Sequence, residues 1–301
     1  MHPGAVRLAG CGLALLSVAL GRIALAEQTP PYVYPVNYPL AYFAARLSDG
    51  SVLVLYPKIR GEPSSWRPGP ADLDDMRRAA LVFLNGAGGE SWKAADVVAP
   101  ARLIDTTAGL GAALPGTMDA ERPWLLPLAA GRSPAVASWL DLSLAIGQAA
   151  AVKRALLAAR LGDRLALEAN FAELEAELTA LDRRLMAAAG DSAPVPVIAA
   201  SPGYDYLAWR YPFSLRSLDW SGDGIPSETK MLELDHLLEV HPAKPMLWPE
   251  MPDWPLRQRL EELGLVLVVM PTLERWPRTG DFASVMRDNV ERLLQALAEA
   301  E

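Results

Sequence analysis

Histidine occurs only three times in 301 residues and cysteine once. The cysteine, Cys11, lies in an N-terminal segment that reads as removable. Without that segment the chain has no thiol, which excludes disulfides, thiolate metal sites and a cysteine nucleophile. Of His2, His236 and His241, only the last two would remain. No Gly-x-Ser-x-Gly turn occurs, and Ser201 has no evident histidine partner, so the chain is not expected to be an enzyme. Lys and Arg form no cluster that could track a phosphate backbone, which argues against a nucleic-acid partner. Beyond the N-terminal segment, no run is long and apolar enough to span a membrane. There is no repeat at a fixed period. The Gly-rich run Asn85-Gly86-Ala87-Gly88-Gly89 lacks the Lys-Ser/Thr ending of a phosphate loop and reads as a tight turn leaving a strand. Asp72, Asp74 and Asp75 read as a charge cluster favourable to a helix N-terminus, and not as a metal site.

The N-terminal segment has the layout of a cleavable secretory signal. Residues 8–20 are apolar and follow the single charge of Arg7, and Ala24-Leu25-Ala26 precedes Glu27. The run is shorter than the roughly 20 residues a spanning helix needs. Leu8-Ala9-Gly10-Cys11 resembles a lipoprotein box, but the apolar run follows the cysteine instead of preceding it, so lipidation is not expected. Cleavage after Ala26 would shift the net charge from −8 to −10, because Arg7 and Arg22 leave.

Apolar residues make up 51% of the chain, enough for two moderate domains with cores of their own. Ser51-Val52-Leu53-Val54-Leu55-Tyr56 reads as a strand. A helix opens at Pro70 and runs to about Ala80, and Leu81-Val82-Phe83-Leu84 is a second, buried strand. Strands alternating with helices argue for parallel βαβ units. Residues 138–189 are nearly free of Gly and Pro and rich in helix formers. Gly162-Asp163 is the expected break, with Asp163 as N-cap. Leu165, Ala169, Leu174, Leu178, Leu181 and Leu185 then mark one helix of roughly 25 residues, about 37 Å long. After a loop over residues 191–196, Val197-Ile198-Ala199-Ala200, Met246-Leu247-Trp248 and residues 265–270 read as strands of a second α/β unit. Helices are expected over residues 256–263 and 286–298. The plan is a signal (1–26), an α/β lobe (27–160), a long connecting helix (161–190) and a second α/β lobe (191–301), with a ligand cleft between lobes that move little.

The order of motifs resembles the periplasmic metal-binding proteins of zinc- and manganese-type ABC importers. Pro68-Gly69-Pro70-Ala71-Asp72-Leu73 resembles that family's helix start. Leu81-Val82-Phe83-Leu84-Asn85-Gly86 followed by Glu90-Ser91-Trp92 resembles its strand, Asn-Gly loop and Glu-x-Trp closure. Ser138-Trp139-Leu140-Asp141 resembles its tryptophan motif, and Met286-Arg287-Asp288-Asn289 its last helix. The resemblance implies a monomeric periplasmic solute-binding protein that serves a permease and an ATPase in the inner membrane, with zinc or manganese as cargo.

The metal site is where this sequence departs from the family pattern. The resemblance places histidines at positions occupied here by Ser64, Ala137 and Ser201. Of the carboxylate positions only Glu250 keeps an acid, and after Met270-Pro271-Thr272 the next is Glu274. His236 and His241 are five residues apart, so they share no helical face and read as structural or exposed. The small replacements would leave a roomier cleft with Trp66, Trp139, Tyr204, Tyr206, Trp248 and Trp254 at its rim, unless those rings are core. Such a cleft suits an organic solute or a chelated metal. The alternatives are weak direct metal binding by Glu250, Asp205 and other oxygens, or an accessory protein that has lost its solute.

Overall fold

The computed structural model describes residues 30–59, 63, 66–86, 90, 92, 96, 98–110, 137–188, 194–220 and 226–300. The signal-like segment, Ser64 and the Gly-rich residues 87–89 lie outside them.

Strand β1 (Tyr32–Pro35) is buried along its whole length. Helix α1 (Tyr38–Ser48) follows at once because Asn37 caps it, its side chain accepting from the Leu40 N–H. Strand β2 is only Leu53–Val54, not the six residues 51–56, since it is an edge strand paired to β1 alone. Helix α2 (Pro70–Arg78) leads into β3 (Leu81–Leu84), the strand expected from the sequence. Strand β4 (Leu103–Asp105) closes the first sheet and was not foreseen, being three residues long.

A 3₁₀ turn (Ser138–Leu140) leads into α3 (Leu142–Ala158), and α4 (Arg164–Ala188) is the 25-residue helix. Asp163 caps α4 as expected, accepting from the Ala166 N–H at 2.9 Å. The buried stripe differs from the expected one at its start. Leu165 is 78% exposed and Ala169 is exposed, whereas Leu167 and Phe171 are buried, followed by Leu174, Leu178, Leu181 and Leu185. The phase is set by Leu167 and Phe171 entering the core.

The second sheet is built from β5 (Val195–Ala199), β6 (Phe213–Ser217), β7 (Pro245–Trp248) and β8 (Val266–Val269). Its helices are α5 (Asp205–Arg210), α6 (Glu228–Val240), α7 (Trp254–Glu262) and α8 (Phe282–Ala300). The loop expected through residue 196 ends sooner, since β5 begins at Val195 and pairs with β6 from its first residue.

The sheets have the orders β2-β1-β3-β4 and β6-β5-β7-β8, and every neighbouring pair is parallel. The second order repeats the first. In each sheet the winding direction reverses between the two central strands, and the C-terminal ends of such strands form the crevice where open α/β sheets bind ligands.

One core cluster contains side chains from both sheets, including Val33, Phe83, Leu174, Val197, Leu247 and Leu293. Phe43 of α1 meets Phe282 of α8 edge-on at 5.1 Å. Arg210 reaches Asp182 of α4 through Nε at 3.0 Å and Nη2 at 2.7 Å. The Tyr211 hydroxyl donates to the same carboxylate at 2.9 Å and accepts from the Leu142 N–H at 3.3 Å. On the surface, Arg184 of α4 makes a two-point pair with Glu291 of α8.

The two described histidines sit in different settings. His236 is exposed on α6 beside Glu239. His241 is buried just after that helix, with Nε2 3.2 Å from the Val197 carbonyl. Burial holds its imidazole below the ordinary range. Its folded form therefore binds protons less readily than the unfolded chain, and stability is expected to fall as pH drops through about 6.5. Urea midpoints at acid and neutral pH would check this, with His241→Asn expected to flatten the difference.

Candidate functional site

A cleft of about 430 Å³, open mouth included, lies outside the C-terminal ends of β1 and β3, the switch point of the first sheet. Val36 and Asn37 follow β1 there, and Asn85 follows β3. Trp66, Trp92 and Trp139 supply aromatic wall, and Glu90 and Glu274 supply carboxylates. Glu274 comes from the loop between β8 and α8, so the second lobe contributes to the lining.

The floor is a buried amide network. Asn37 Nδ2 donates to Asn85 Oδ1 at 3.2 Å, and Gln148 Nε2 donates to the same oxygen at 3.2 Å. Ser138 Oγ adds a contact at 3.3 Å. Gln148 also donates to Thr106 Oγ1 at 3.0 Å, which ties α3 to the residue after β4. Buried amides are stable only when paired, so this network fixes where the loop after β3 leaves the sheet.

Glu90 folds back onto that loop. Its Oε1 accepts from the Asn85 N–H at 2.6 Å and its Oε2 from the Gly86 N–H at 3.0 Å. Burial pushes its carboxyl up, and the nearby Asp105 adds to this against the lowering effect of the two N–H groups. Gly86 has φ +77°, and a Cβ there would lie 1.9 Å from Asp105 Oδ1 and 2.2 Å from Thr107 Oγ1. Gly86→Ala is expected to cost about 2 kcal/mol or more, from left-handed strain plus the clash. A thermal melt would measure it, and an unchanged midpoint would mean that the loop relocates freely.

The tryptophans on the walls are held differently. Trp139 is 1% exposed, and its Nε1 donates to the Thr272 carbonyl at 2.6 Å, across to the second lobe. Trp66 and Trp92 are half-buried and meet edge to face, centroids 6.1 Å apart and planes at 86°.

Of the residues singled out from the sequence, Trp66 and Trp139 line this cleft. Ala137 is buried behind Trp139, and its carbonyl accepts from the Leu140 N–H at 3.1 Å. Ser201 is half-buried after β5, at the second sheet's own switch point. Glu250 follows β7 with its side chain 80% exposed, 4.0 Å from Arg278, and is not among the cleft-lining residues.

The expected aromatic rim needs correction. Tyr204 is fully buried, with its hydroxyl donating to the Met270 carbonyl at 2.8 Å. Tyr206 is buried against Trp209, Trp248 against Trp220, and Trp254 stands 71% exposed on α7. Tyr204 and Tyr206 belong to the core cluster shared by both sheets, Trp248 to a smaller cluster of the second lobe, and Trp254 to the surface. Sequence reasoning missed Asn37, Asn85, Glu90 and Trp92 as lining residues. The signal for two of them was the Glu90-Ser91-Trp92 motif, read only as a family mark.

Among the described residues, no three of His, Cys, Asp and Glu stand close enough together to hold a metal ion. No described helix is long and apolar enough to cross a membrane.

The frame is that of two-lobed solute-binding proteins. The zinc-bound ZnuA-like domain of AdcA from Streptococcus pneumoniae is similar, with a TM-score of 0.73 at 19% identity over 89% of this chain and 99% of that one. The metal-dependent lipoprotein YcdH from Bacillus subtilis gives 0.69 at 19% identity, over 88% and 99%. The solute-binding protein FpvC from Pseudomonas aeruginosa, in complex with manganese, gives 0.66 at 16% identity, over 91% and 100%. At such identities the likeness is one of fold. No curated protein matches the chain. The chain belongs to the ZnuA family, described as the periplasmic component A of the zinc-uptake complex, whose profile matches residues 33–296. That is a family of uptake components and not of enzymes.

Proposed function

We propose that this protein is the exported solute-binding component of a metal-type ABC importer. It takes a solute into the cleft between its lobes and presents it to a membrane permease and its ATPase. The observation that carries this is the position of the cleft. It opens at the switch point of the first sheet and is lined from the second lobe by Glu274. Family membership supports the same reading.

Zinc or manganese is the cargo suggested by that membership, but the donors here fit it poorly. Zinc sites use about four close donors, commonly imidazole or thiolate. Neither remaining histidine lines the cleft, and the Glu90 oxygens already serve backbone amides. Glu250 and Asp205 do not line it either. The three indoles favour a second reading, an organic solute or a metal already wrapped in a chelator.

Native mass spectrometry of protein taken from its own periplasm tests the first reading. A stoichiometric bound small molecule or ion is expected, and protein that never carries a solute would overturn it. Isothermal titration with zinc and manganese then separates the cargoes, since sub-micromolar binding of either ion would sink the organic reading.

A further inference from the structure

We propose that the cleft recognises a compact organic cation of the N-alkylated ammonium class, held between the indoles of Trp66, Trp92 and Trp139 and by the charge of Glu90. This rests on the solute-binding reading above and names the class of solute.

The first argument is what the described lining leaves unsatisfied. The amide groups on the floor are engaged with one another. Asn37 uses its oxygen to cap α1 and its nitrogen on Asn85. The Asn85 oxygen receives Asn37, Gln148 and Ser138. Both Glu90 oxygens accept backbone N–H groups. Directed hydrogen bonds to a ligand therefore have few open partners here. The charge of Glu90 is another matter, because a backbone amide contributes a dipole but no neutralising cation. None of the described lining residues is Lys, Arg or His, and the neighbouring Asp105 adds charge of the same sign. A cation supplied by the ligand offsets the burial that disfavours this carboxylate.

The second argument is the walls. Trp66 and Trp92 meet edge to face with their planes at 86°, and both line the cleft. Trp139 is fixed on another side by its bond to Thr272. Indole is the best aromatic partner for a cation, and a cluster of aromatic rings around an ammonium group is the known way to hold one that cannot donate hydrogen bonds. A bare metal ion needs lone pairs, which these walls lack. An anion would meet the carboxylates. A neutral apolar solute would leave the charge of Glu90 without a counterpart.

The test uses the full mature protein with tetramethylammonium and choline as probes, and 3,3-dimethyl-1-butanol as the uncharged isostere of choline. Titration calorimetry and intrinsic tryptophan fluorescence report binding. At least one ammonium probe is expected to bind and to perturb the fluorescence, with the isostere weaker by about tenfold or more. Trp66→Ala and Glu90→Gln are each expected to lower ammonium affinity by about tenfold. Trp66→Phe, which keeps an aromatic face, is expected to recover part of the loss and guards against a folding defect. Equal binding of choline and its isostere would overturn the proposal, as would no binding of either cation at millimolar concentration. If periplasmic protein instead carries a metal or a neutral solute, the cation assignment falls and the solute-binding reading stands. If it carries no solute of any class, both fall.

Discussion

Trp139→Ala is expected to lower the free energy of unfolding by about 3–5 kcal/mol, the usual cost of removing a fully buried large aromatic. Three losses combine. The indole occupies the junction beneath the cleft at 1% exposure, so its removal leaves a cavity that helix α3 and the 3₁₀ turn can close only in part. The Thr272 carbonyl loses its donor. The contact also crosses between lobes, so the second lobe's 270–274 loop loses its fixed position. Trp139→Phe keeps most of the bulk and removes only the N–H, so its cost should be smaller, about 1–2 kcal/mol. Urea denaturation followed by circular dichroism measures both. A loss below about 1 kcal/mol for the alanine variant would mean that the junction is not where stability resides.

Asp182→Ala is expected to cost about 2–4 kcal/mol. Removing one partner of a buried ion pair typically costs 3–5 kcal/mol, and the range is lowered here because the Arg210 side chain remains 29% exposed to water. The carboxylate serves two donors on Arg210 and the hydroxyl of Tyr211, while Tyr211 in turn receives the Leu142 N–H. One substitution therefore removes the acceptor of both Arg210 of α5 and the Tyr211 hydroxyl. Asp182→Asn, which keeps an acceptor and loses the charge, should lie between wild type and alanine. Equal stability of all three would show that water replaces the carboxylate at no cost.

The fold was legible where periodicity and punctuation agreed. Leu81-Val82-Phe83-Leu84 is apolar throughout because a central parallel strand is covered on both faces. Asp163 declared the start of α4, since an acid after a glycine at a helix boundary has one economical use. The misses have physical causes. Strands β2 and β4 are too short to show a period, and their pairing is decided by neighbours distant in the chain. Leu165 fell on the solvent side because leucine is also a good helix former at the surface.

The cleft was less legible than the frame. The family resemblance could point to positions 64, 137 and 201, but not to the residues that line the cleft. Glu90 and Trp92 stand in a loop whose course is set by Asn85, Gln148 and Thr106, which are far apart in sequence. Tyr204 read as a rim residue because it follows Ser201 in the aromatic-rich turn where the resemblance places a ligand. Only the Met270 carbonyl, buried beside it, explains why its hydroxyl points inward.

The pairing of Phe43 with Phe282 has a consequence for how the chain assembles. Tyr42 also meets Phe282, at 5.5 Å between ring centroids, so the first helix of the first lobe is completed by the last helix of the second. During synthesis, residues up to about 281 emerge with the back of that first helix uncovered. Among the described residues neither sheet contains an antiparallel pair, so no hairpin there can form early as a local nucleus, and each of these strand pairings waits for a crossover. The two halves should accordingly fold together and not in order of emergence. A chain truncated before α8 should present an exposed apolar helix face, visible as dye binding, instead of a finished amino-terminal half.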